Sequence, residues 1–336
     1  MRSVSGPGSL DATVAILPKH RVCTVAGHVV PALFPDPQAT AEGTLWRDLS
    51  PDQVARITLY EGAFGYVLTP VTVRVDGVSV KAQCFLPPPD IAASDDGWVL
   101  AAWEAQHLAP AVLAAEEVFA MQPLPDAAAL RSMWPMIEAR AWSKCRAATT
   151  PATTRYTPSD KDFVTHGSGP PMGRFFRFQS VDIAHRQFGG GTSPVMTREA
   201  FIGVDAAMIL PYDPMRDRVL LVEQARVGPY MRQDPNPWML EPIAGIVDAR
   251  ETPEAAALRE AAEEAALQVV RLENAGSFYV SPGATTDYFY TYVGLCDLPQ
   301  TTSYFGGLAD EAEDLRLHPL SFEDALGLCD SGEIQT

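Results

Sequence analysis

The chain has 336 residues, of which 25 are Lys or Arg and 42 are Asp or Glu, so its formal net charge at pH 7 is −17. An acidic chain without a basic cluster is not expected to bind nucleic acid, because duplex binding requires a basic surface that displaces counterions. Apolar residues make up 47% of the chain, which excludes wholesale disorder, and no apolar run approaches the ~20 residues that span a membrane.

The length predicts two domains, each large enough to bury a core. The first residues lack the apolar centre of a signal peptide, so neither secretion nor a membrane location is expected. The five cysteines are odd in number, far apart and without a CxxC pair, which supports neither a zinc site nor a disulfide framework. We therefore expect reduced thiols in the cytoplasm.

The first part of the chain is predicted to form short strands over residues 12–85 and then helices. β-branched residues flank Asp76-Gly77, a pattern typical of a β-hairpin. Segments rich in Ala, Leu, Met and Trp predict helices at about 98–120 and 125–145.

A linker is predicted over residues 147–172, because the segment is rich in Thr, Pro and Gly and shows no apolar periodicity. Strands and helices return after it without regular βαβ alternation, which favours α+β domains. The elements predicted there are strands at 174–186, 197–211 and 218–226, a helix at 252–267, strands within 269–296 and a short helix at 321–330.

The helix predicted at 252–267 carries the residues with the clearest chemistry. Thr252 can cap this helix, and Pro253 suits its first position. Glu260, Glu263 and Glu264 are spaced so that all three lie near one helix face.

Three carboxylates on one face repel one another, by about 1 kcal/mol per pair in water and by about 3 kcal/mol at an effective dielectric constant of about 20. In a cleft they would need a cation, and hard oxygen ligands favour Mg²⁺, with Mn²⁺ possible in its place. On the three glutamates alone, the alternative is a solvated acidic helix face.

The residues from Gly245 to Leu267 follow the spacing G-x5-E-x7-R-E-(apolar)-x-E-E, which resembles the Nudix hydrolase box. Ala266 departs from it, because the family usually has a second glycine there. The resemblance implies that Arg259 braces the preceding loop by pairing with Glu251. The metal ligands that it implies are Ala244, through its carbonyl, and the side chains of Glu260, Glu263 and Glu264.

Segments on both sides of the box resemble ADP-ribose pyrophosphatases, at residues 222–226 and 237–245 before it. Residues 281–287 resemble the SPG loop of that family, with Asp287 in place of the usual Glu. Residues 307–316 resemble its mobile acidic loop, in which Glu311 takes the position of the catalytic base. The implied substrate-binding residues are Arg226, Arg198 (reaching across a dimer interface), Phe175 (stacking on adenine), Glu241, Ser281 and Gly283.

Two of these assignments have plainer alternatives. The acidic loop around Glu311 is equally well explained as a solvated loop. Phe175 is equally well explained as a core residue of a strand.

Residues 19–85 resemble the gamma-glutamylcyclotransferase-like fold, in which Glu61 would be the acid/base residue. The N-terminal strand and anion-binding loop of that family are missing ahead of Leu17, so a scaffold or interaction role is the alternative. The pairing with a Nudix domain resembles proteins associated with tellurite resistance, in which the chain continues into a last helix beyond the end of this one.

The predicted architecture is α+β: a gamma-glutamylcyclotransferase-like barrel over residues 1–148, a linker over 149–172 and a Nudix α/β/α sandwich over 173–336. The predicted function is metal-dependent hydrolysis of ADP-ribose to AMP and ribose 5-phosphate by a homodimer. The alternatives are hydrolysis of another nucleoside diphosphate sugar, such as GDP-mannose, a nucleotide-binding regulatory protein without turnover, and release of 5-oxoproline by the first domain.

Overall fold

The computed structural model describes residues 1–8, 10–149, 152–308 and 313–334. The chain divides into an N-terminal unit, Met1–Thr150 with Pro170–Phe175, and a C-terminal unit, Pro151–Gly169 with Phe176–Thr336. Helices and strands occur in both units, so each is a mixed α and β structure. Among the described residues, no helix combines the length and apolar content that a bilayer crossing requires.

The N-terminal unit combines an antiparallel sheet with helices. Its elements are α1 (Arg2–Ser5), β1 (Asp11–Val25), β2 (Pro31–Arg47), α2 (Pro51–Gly62), β3 (Val67–Val75), β4 (Val78–Leu86), β5 (Ala93–Gly97), α3 (Leu100–Ala120) and α4 (Ala127–Ala147). The sheet order is β2-β1-β3-β4, and β5 pairs with β1. The helices predicted at 98–120 and 125–145 are confirmed as α3 and α4.

The β3–β4 hairpin is confirmed, with Asp76 and Gly77 both at positive φ (49° and 80°) in its turn. The prediction of short strands throughout residues 12–85 is wrong at α2. Ser50 and Gln53 each accept a hydrogen bond from the other's backbone N–H and form a capping box that starts this helix. The prediction also misses that β1 and β2 are long strands of one hairpin.

A charged side chain lies in the core of the N-terminal unit. Arg140 on α4 is 1% exposed, and it forms an ion pair with Glu117 on α3, whose side chain is 8% exposed, at 2.7 Å between Nη2 and Oε1. Its Nη1 donates to the carbonyl of Phe175 at 2.8 Å. Arg140 therefore joins two helices to the short segment 170–175 of the same unit.

The C-terminal unit contains two sheets and three helices among its described residues. Its elements are β6 (Phe163–Ser168), β7 (Arg177–His185), β8 (Met196–Ile202), β9 (Asp205–Asp213), β10 (Arg218–Ala225), α5 (Val227–Arg232), β11 (Trp238–Glu241), β12 (Ile243–Ile246), α6 (Pro253–Ala265), β13 (Arg271–Tyr279), β14 (Tyr288–Leu295), β15 (Tyr304–Gly306), β16 (Leu315–Ser321) and α7 (Phe322–Ser331).

One sheet of this unit has the order β6-β7-β8, and the other has the order β13-β14-β9-β10-β16-β15, with β11 paired to β10 and β12 to β9. β14 and β9 run parallel. β6 lies within the segment predicted to be a linker, so residues 163–168 of that segment belong to a sheet. The single strand predicted at 197–211 is in fact two strands, because Gly203 and Val204 lie between the end of β8 and the start of β9.

The predicted helix at 252–267 is confirmed as α6, with Thr252 as its cap and Pro253 at its first position. Apart from Glu264, its buried residues have small side chains that join the core of the large sheet. These are Ala256, Ala257, Ala261 and Ala265. Because a methyl group extends little from the backbone, this alanine face lets the helix lie close to the strands, and the carboxylates of the helix come with it.

Ala266, the position where the family usually has glycine, ends α6 in the left-handed conformation with φ 52°. A left-handed conformation costs a non-glycine residue roughly 1–2 kcal/mol. We expect Ala266→Gly to raise the free energy of unfolding of the C-terminal unit by about 1 kcal/mol, measured by urea titration. Ala262→Gly, in the interior of the same helix, is the matched control and should lower it by about 1 kcal/mol. Equal losses in both variants would contradict the expectation.

Candidate active site

The centre of the site is the side chain of Glu264, near the end of α6. It is 2% exposed, and its Oε2 atom has no hydrogen-bond partner among the residues that the structure describes. Burial raises the pKa of Glu264 to about 8, and the charges of Glu260 and Glu313 add to that rise. A buried carboxylate in such surroundings is costly as an anion unless a cation lies beside it.

Arg259 connects the other carboxylates of the helix to the loop that precedes it. Its Nε and Nη2 donate to the two oxygens of Glu251, each at 3.0 Å, and Nη2 also donates to the carbonyl of Ile246. Its Nη1 donates to Glu260 at 2.7 Å and to Glu263 at 3.0 Å. The pairing with Glu251 is the one that the sequence resemblance implies, whereas the two contacts with Glu260 and Glu263 were not predicted.

Gly245 allows β12 and α6 to approach each other closely. On β12, Gly245 lies opposite Ala207 and Ala244 opposite Met208 of β9. A Cβ atom at position 245 would lie 1.7 Å from Oε1 of Glu260. Any side chain there would therefore displace this carboxylate or the strand.

The donor set fits a divalent metal ion, because carboxylate and carbonyl oxygens are the ligands that Mg²⁺ and Mn²⁺ prefer. The buried oxygen of Glu264 without a protein partner is the observation that favours such an ion. In the described part of the chain no three acidic, His or Cys side chains converge closely enough to hold one. Glu260 and Glu263 instead share Nη1 of Arg259, so they would have to exchange this contact for the ion.

Arg226, the residue between β10 and α5, forms an ion pair with Glu241 at the end of β11. Nε and Nη2 of Arg226 lie 2.8 and 2.7 Å from Oε2 of Glu241. The positive charge of Arg226 lowers the pKa of Glu264 and the negative charge of Glu241 raises it, although burial remains the larger influence. The charges of Arg226 and Glu241, two of the six predicted substrate-binding residues, thus act on the carboxylate of Glu264.

The predicted SPG loop is hydrogen-bonded to the end of β8. The N–H of Phe201 donates to the carbonyl of Ala284, and the N–H of Thr286 donates to the carbonyl of Phe201. Asp287 accepts from the N–H of Val204, and a Cβ atom at Gly203 would lie 1.5 Å from its carboxylate. Asp287, the departure from the family's usual Glu, therefore holds the loop against the β8–β9 junction.

The other predicted residues of this region lie at its surface. Ser281 accepts two backbone hydrogen bonds within the loop, from Ala284 and Thr285, and a Cβ atom at Gly283 would meet nothing within 4 Å. Arg198 on β8 is exposed, and its guanidinium contacts the carbonyl of Thr197 and the sulfur of Met196.

Of the three remaining predicted residues, two belong to the N-terminal unit. Phe175 belongs to the N-terminal unit, where its carbonyl accepts from Arg140. Glu61 also belongs to that unit, on α2. Glu311 lies outside the described residues. Glu313 lies in the acidic loop, for which sequence analysis leaves both a functional and a solvated interpretation open, and its charge raises the pKa of Glu264.

Comparisons with known proteins identify the family of the C-terminal part of the chain. The model of the NUDIX domain matches residues 203–326. A protein of Escherichia coli K12 named ADP-ribose pyrophosphatase is 42% identical over 160 residues, which are 48% of this chain and 76% of the relative. One of the same name from Haemophilus influenzae is 39% identical over 52% of this chain and 82% of its own length. A GDP-mannose pyrophosphatase of Yersinia pestis is 32% identical over 43% and 72%.

Proposed function

The chain belongs to the Nudix family of pyrophosphatases, and we propose that its C-terminal unit hydrolyses the diphosphate of ADP-ribose. Water attacks one phosphorus atom, the bond to the bridging oxygen breaks, and the products are AMP and ribose 5-phosphate. The observation that carries the proposal is the buried carboxylate of Glu264, with an unpartnered oxygen, beside Arg226 and Glu241.

We propose that the site holds a divalent ion, Mg²⁺ with Mn²⁺ as a possible substitute, which would offset the charge of the phosphate oxygens and lower the pKa of water. Glu260, Glu263, Glu264 and the carbonyl of Ala244 would hold it. Arg259 keeps the loop from Ile246 to Glu251 against the helix. The carbonyl of Ala244 on β12 therefore stays close to the carboxylates of α6.

The remaining residues of the site are proposed to bind substrate or move a proton. Arg226 and Arg198 present guanidinium groups that suit multidentate hydrogen bonds with phosphate oxygens. Glu311 is proposed to accept the proton of the attacking water. Glu241, Ser281 and Gly283 are proposed to line the substrate, and Phe175 to stack on adenine.

The wider setting of the enzyme is also a proposal. By analogy with the family that the sequence resembles, we propose a homodimer in which each site takes a residue from both subunits, and a place in the cytoplasm. The tellurite association and the gamma-glutamylcyclotransferase-like barrel of the N-terminal unit rest on the resemblance alone and stay predictions.

The experiment that tests the function uses the purified full chain, ADP-ribose and Mg²⁺, with products separated by chromatography. We expect AMP and ribose 5-phosphate in equal amounts, and none after chelation of the metal. A parallel reaction with GDP-mannose tests the substrate after which one of the relatives is named. Faster turnover of GDP-mannose would move the proposal to that nucleotide sugar, and turnover of neither would overturn it.

One observation favours a second activity in the N-terminal unit. Burial raises the pKa of Glu61, which suits a general acid, although its role stays a prediction from resemblance. Because Glu61 lies in the other unit, Glu61→Gln should leave hydrolysis of ADP-ribose unchanged. Release of 5-oxoproline from a gamma-glutamyl dipeptide, lost in this variant, would establish the second activity.

A further inference from the structure

The N-terminal unit contains a cleft of about 480 Å³ between its first residues and the helices α2 and α3. Its lining includes two cations, Arg2 and Arg56, one anion, Glu116, and the aromatic ring of Phe119. The proposed hydrolysis of ADP-ribose uses none of these residues.

Arg56 is held in place from two sides. Its Nε donates to the carbonyl of Val4 at 2.9 Å, and its guanidinium carbon lies 3.7 Å from the centroid of the Phe119 ring. Stacking on an aromatic face orients a planar guanidinium and is favourable for a cation. The group is therefore fixed before any ligand arrives.

The segment directly after α1 lies close to this guanidinium. Gly6 has φ 82°, and a Cβ atom there would lie 2.9 Å from Nε of Arg56. Gln53, which is buried, donates from its side chain to the carbonyl of Pro7 at 3.4 Å. Glycine at position 6 thus allows the backbone to form one wall of the cleft directly beside the cation.

The guanidinium of Arg56 has N–H groups that are not used in hydrogen bonds with the described residues. Arg56 makes no hydrogen bond through Nη1 or Nη2 with any described residue, in contrast to Arg140 and Arg259. Arg2 and Glu116 are exposed at the same cleft, and neither forms an ion pair within the described ranges. A planar pair of unused N–H donors is the geometry that binds a carboxylate or phosphate through two hydrogen bonds.

We propose that this cleft binds the oxyanion of a small metabolite, a carboxylate or a phosphate, through the terminal amino groups of Arg56. Arg2 adds a second positive charge at the mouth. Glu116 disfavours ligands with several negative charges, so the site suits a ligand with a single anionic group. The chain carries a net charge of −17, which opposes non-specific binding of anions. Saturable binding of an anion would therefore indicate a local site.

The test must report on Arg56 itself, because the C-terminal unit is expected to bind phosphates too. In the full chain labelled with ¹⁵N-arginine, the Nε–Hε signal of Arg56 is followed during separate titrations with inorganic phosphate and with acetate. We expect a saturable shift with at least one probe, and the probe that acts at lower concentration identifies the ligand's anionic group. No saturable shift with either would overturn the proposal and leave Arg56 as an anchor for the first residues.

Variants separate binding from folding. Arg2→Gln, an exposed change, should raise the half-saturating concentration about tenfold, and Arg74→Gln on β3 removes the same charge away from the cleft and should leave it unchanged. An equal effect of both variants would mean that net charge alone governs the response and would overturn the proposal. An anion that binds the folded N-terminal unit should raise its thermal midpoint. Arg56→Lys keeps the charge but lacks the planar pair of donors, so this rise in the midpoint should disappear.

Discussion

Glu264→Gln should lower the turnover of ADP-ribose about a thousandfold and leave the fold intact. The bound metal supplies several kcal/mol of transition-state stabilisation, and each ~1.4 kcal/mol corresponds to a factor of ten in rate. Glutamine has nearly the shape of glutamate but cannot carry the negative charge that a divalent ion requires. The measurement is the initial rate of AMP formation at saturating ADP-ribose and Mg²⁺.

Stability measurements distinguish lost chemistry from lost folding. Because burial disfavours the anionic form of Glu264, the neutral glutamine should not lower the thermal midpoint of the metal-free chain. The rise in midpoint that Mg²⁺ gives to the wild-type chain should be lost. Glu323→Gln, an exposed change on α7, is the matched control and should retain both turnover and the response to metal. Wild-type turnover in the Glu264 variant would remove this residue from the metal site.

Arg140→Met should destabilise the N-terminal unit by about 3–5 kcal/mol, because it leaves Glu117 buried without its cation. It also removes the donor that binds the carbonyl of Phe175. Five of the six tryptophans lie in this unit, at positions 46, 98, 103, 134 and 142, so tryptophan fluorescence during urea unfolding reports mainly on it.

A second substitution tests the cause of that loss. Replacing both partners, in Arg140→Met with Glu117→Leu, should recover most of the stability, because two apolar side chains leave no unpaired charge in the core. Arg74→Met on the exposed surface is the matched control and should change the free energy of unfolding by less than about 0.5 kcal/mol. A loss in the single variant no larger than in this control would show that the ion pair contributes nothing.

The elements that sequence analysis predicts well are those whose signals are local. Asp76-Gly77 forms a hairpin through its own conformational preference, and Thr252-Pro253 starts α6 in the same way. The signal for α2 was also local, in the capping box of Ser50 and Gln53, but sequence analysis predicted only strands in this part of the chain. The pairing of β14 with β9 joins residues far apart in the chain, and no local pattern specifies it.

The same distinction holds for the site. The spacing of the helix carboxylates is visible in the sequence, since it depends on a single helix. The burial of Glu264 and the contacts of Arg259 with Glu260 and Glu263 depend on how close the helix lies to the sheet and on side-chain rotamers. The ion pair between Arg226 and Glu241 depends on the register of β10 and β11, which the sequence does not reveal.

The alanine face of α6 sets limits on how this chain can change during evolution. Ala256, Ala257, Ala261 and Ala265 are almost fully buried and contact the core of the sheet, so a larger residue at any of them has no solvent to turn toward. The helix would have to move outward as a body, and its carboxylates would move with it, although none of them had been replaced. We therefore expect selection to remove larger residues at these four positions because catalysis is lost, even where the C-terminal unit still folds.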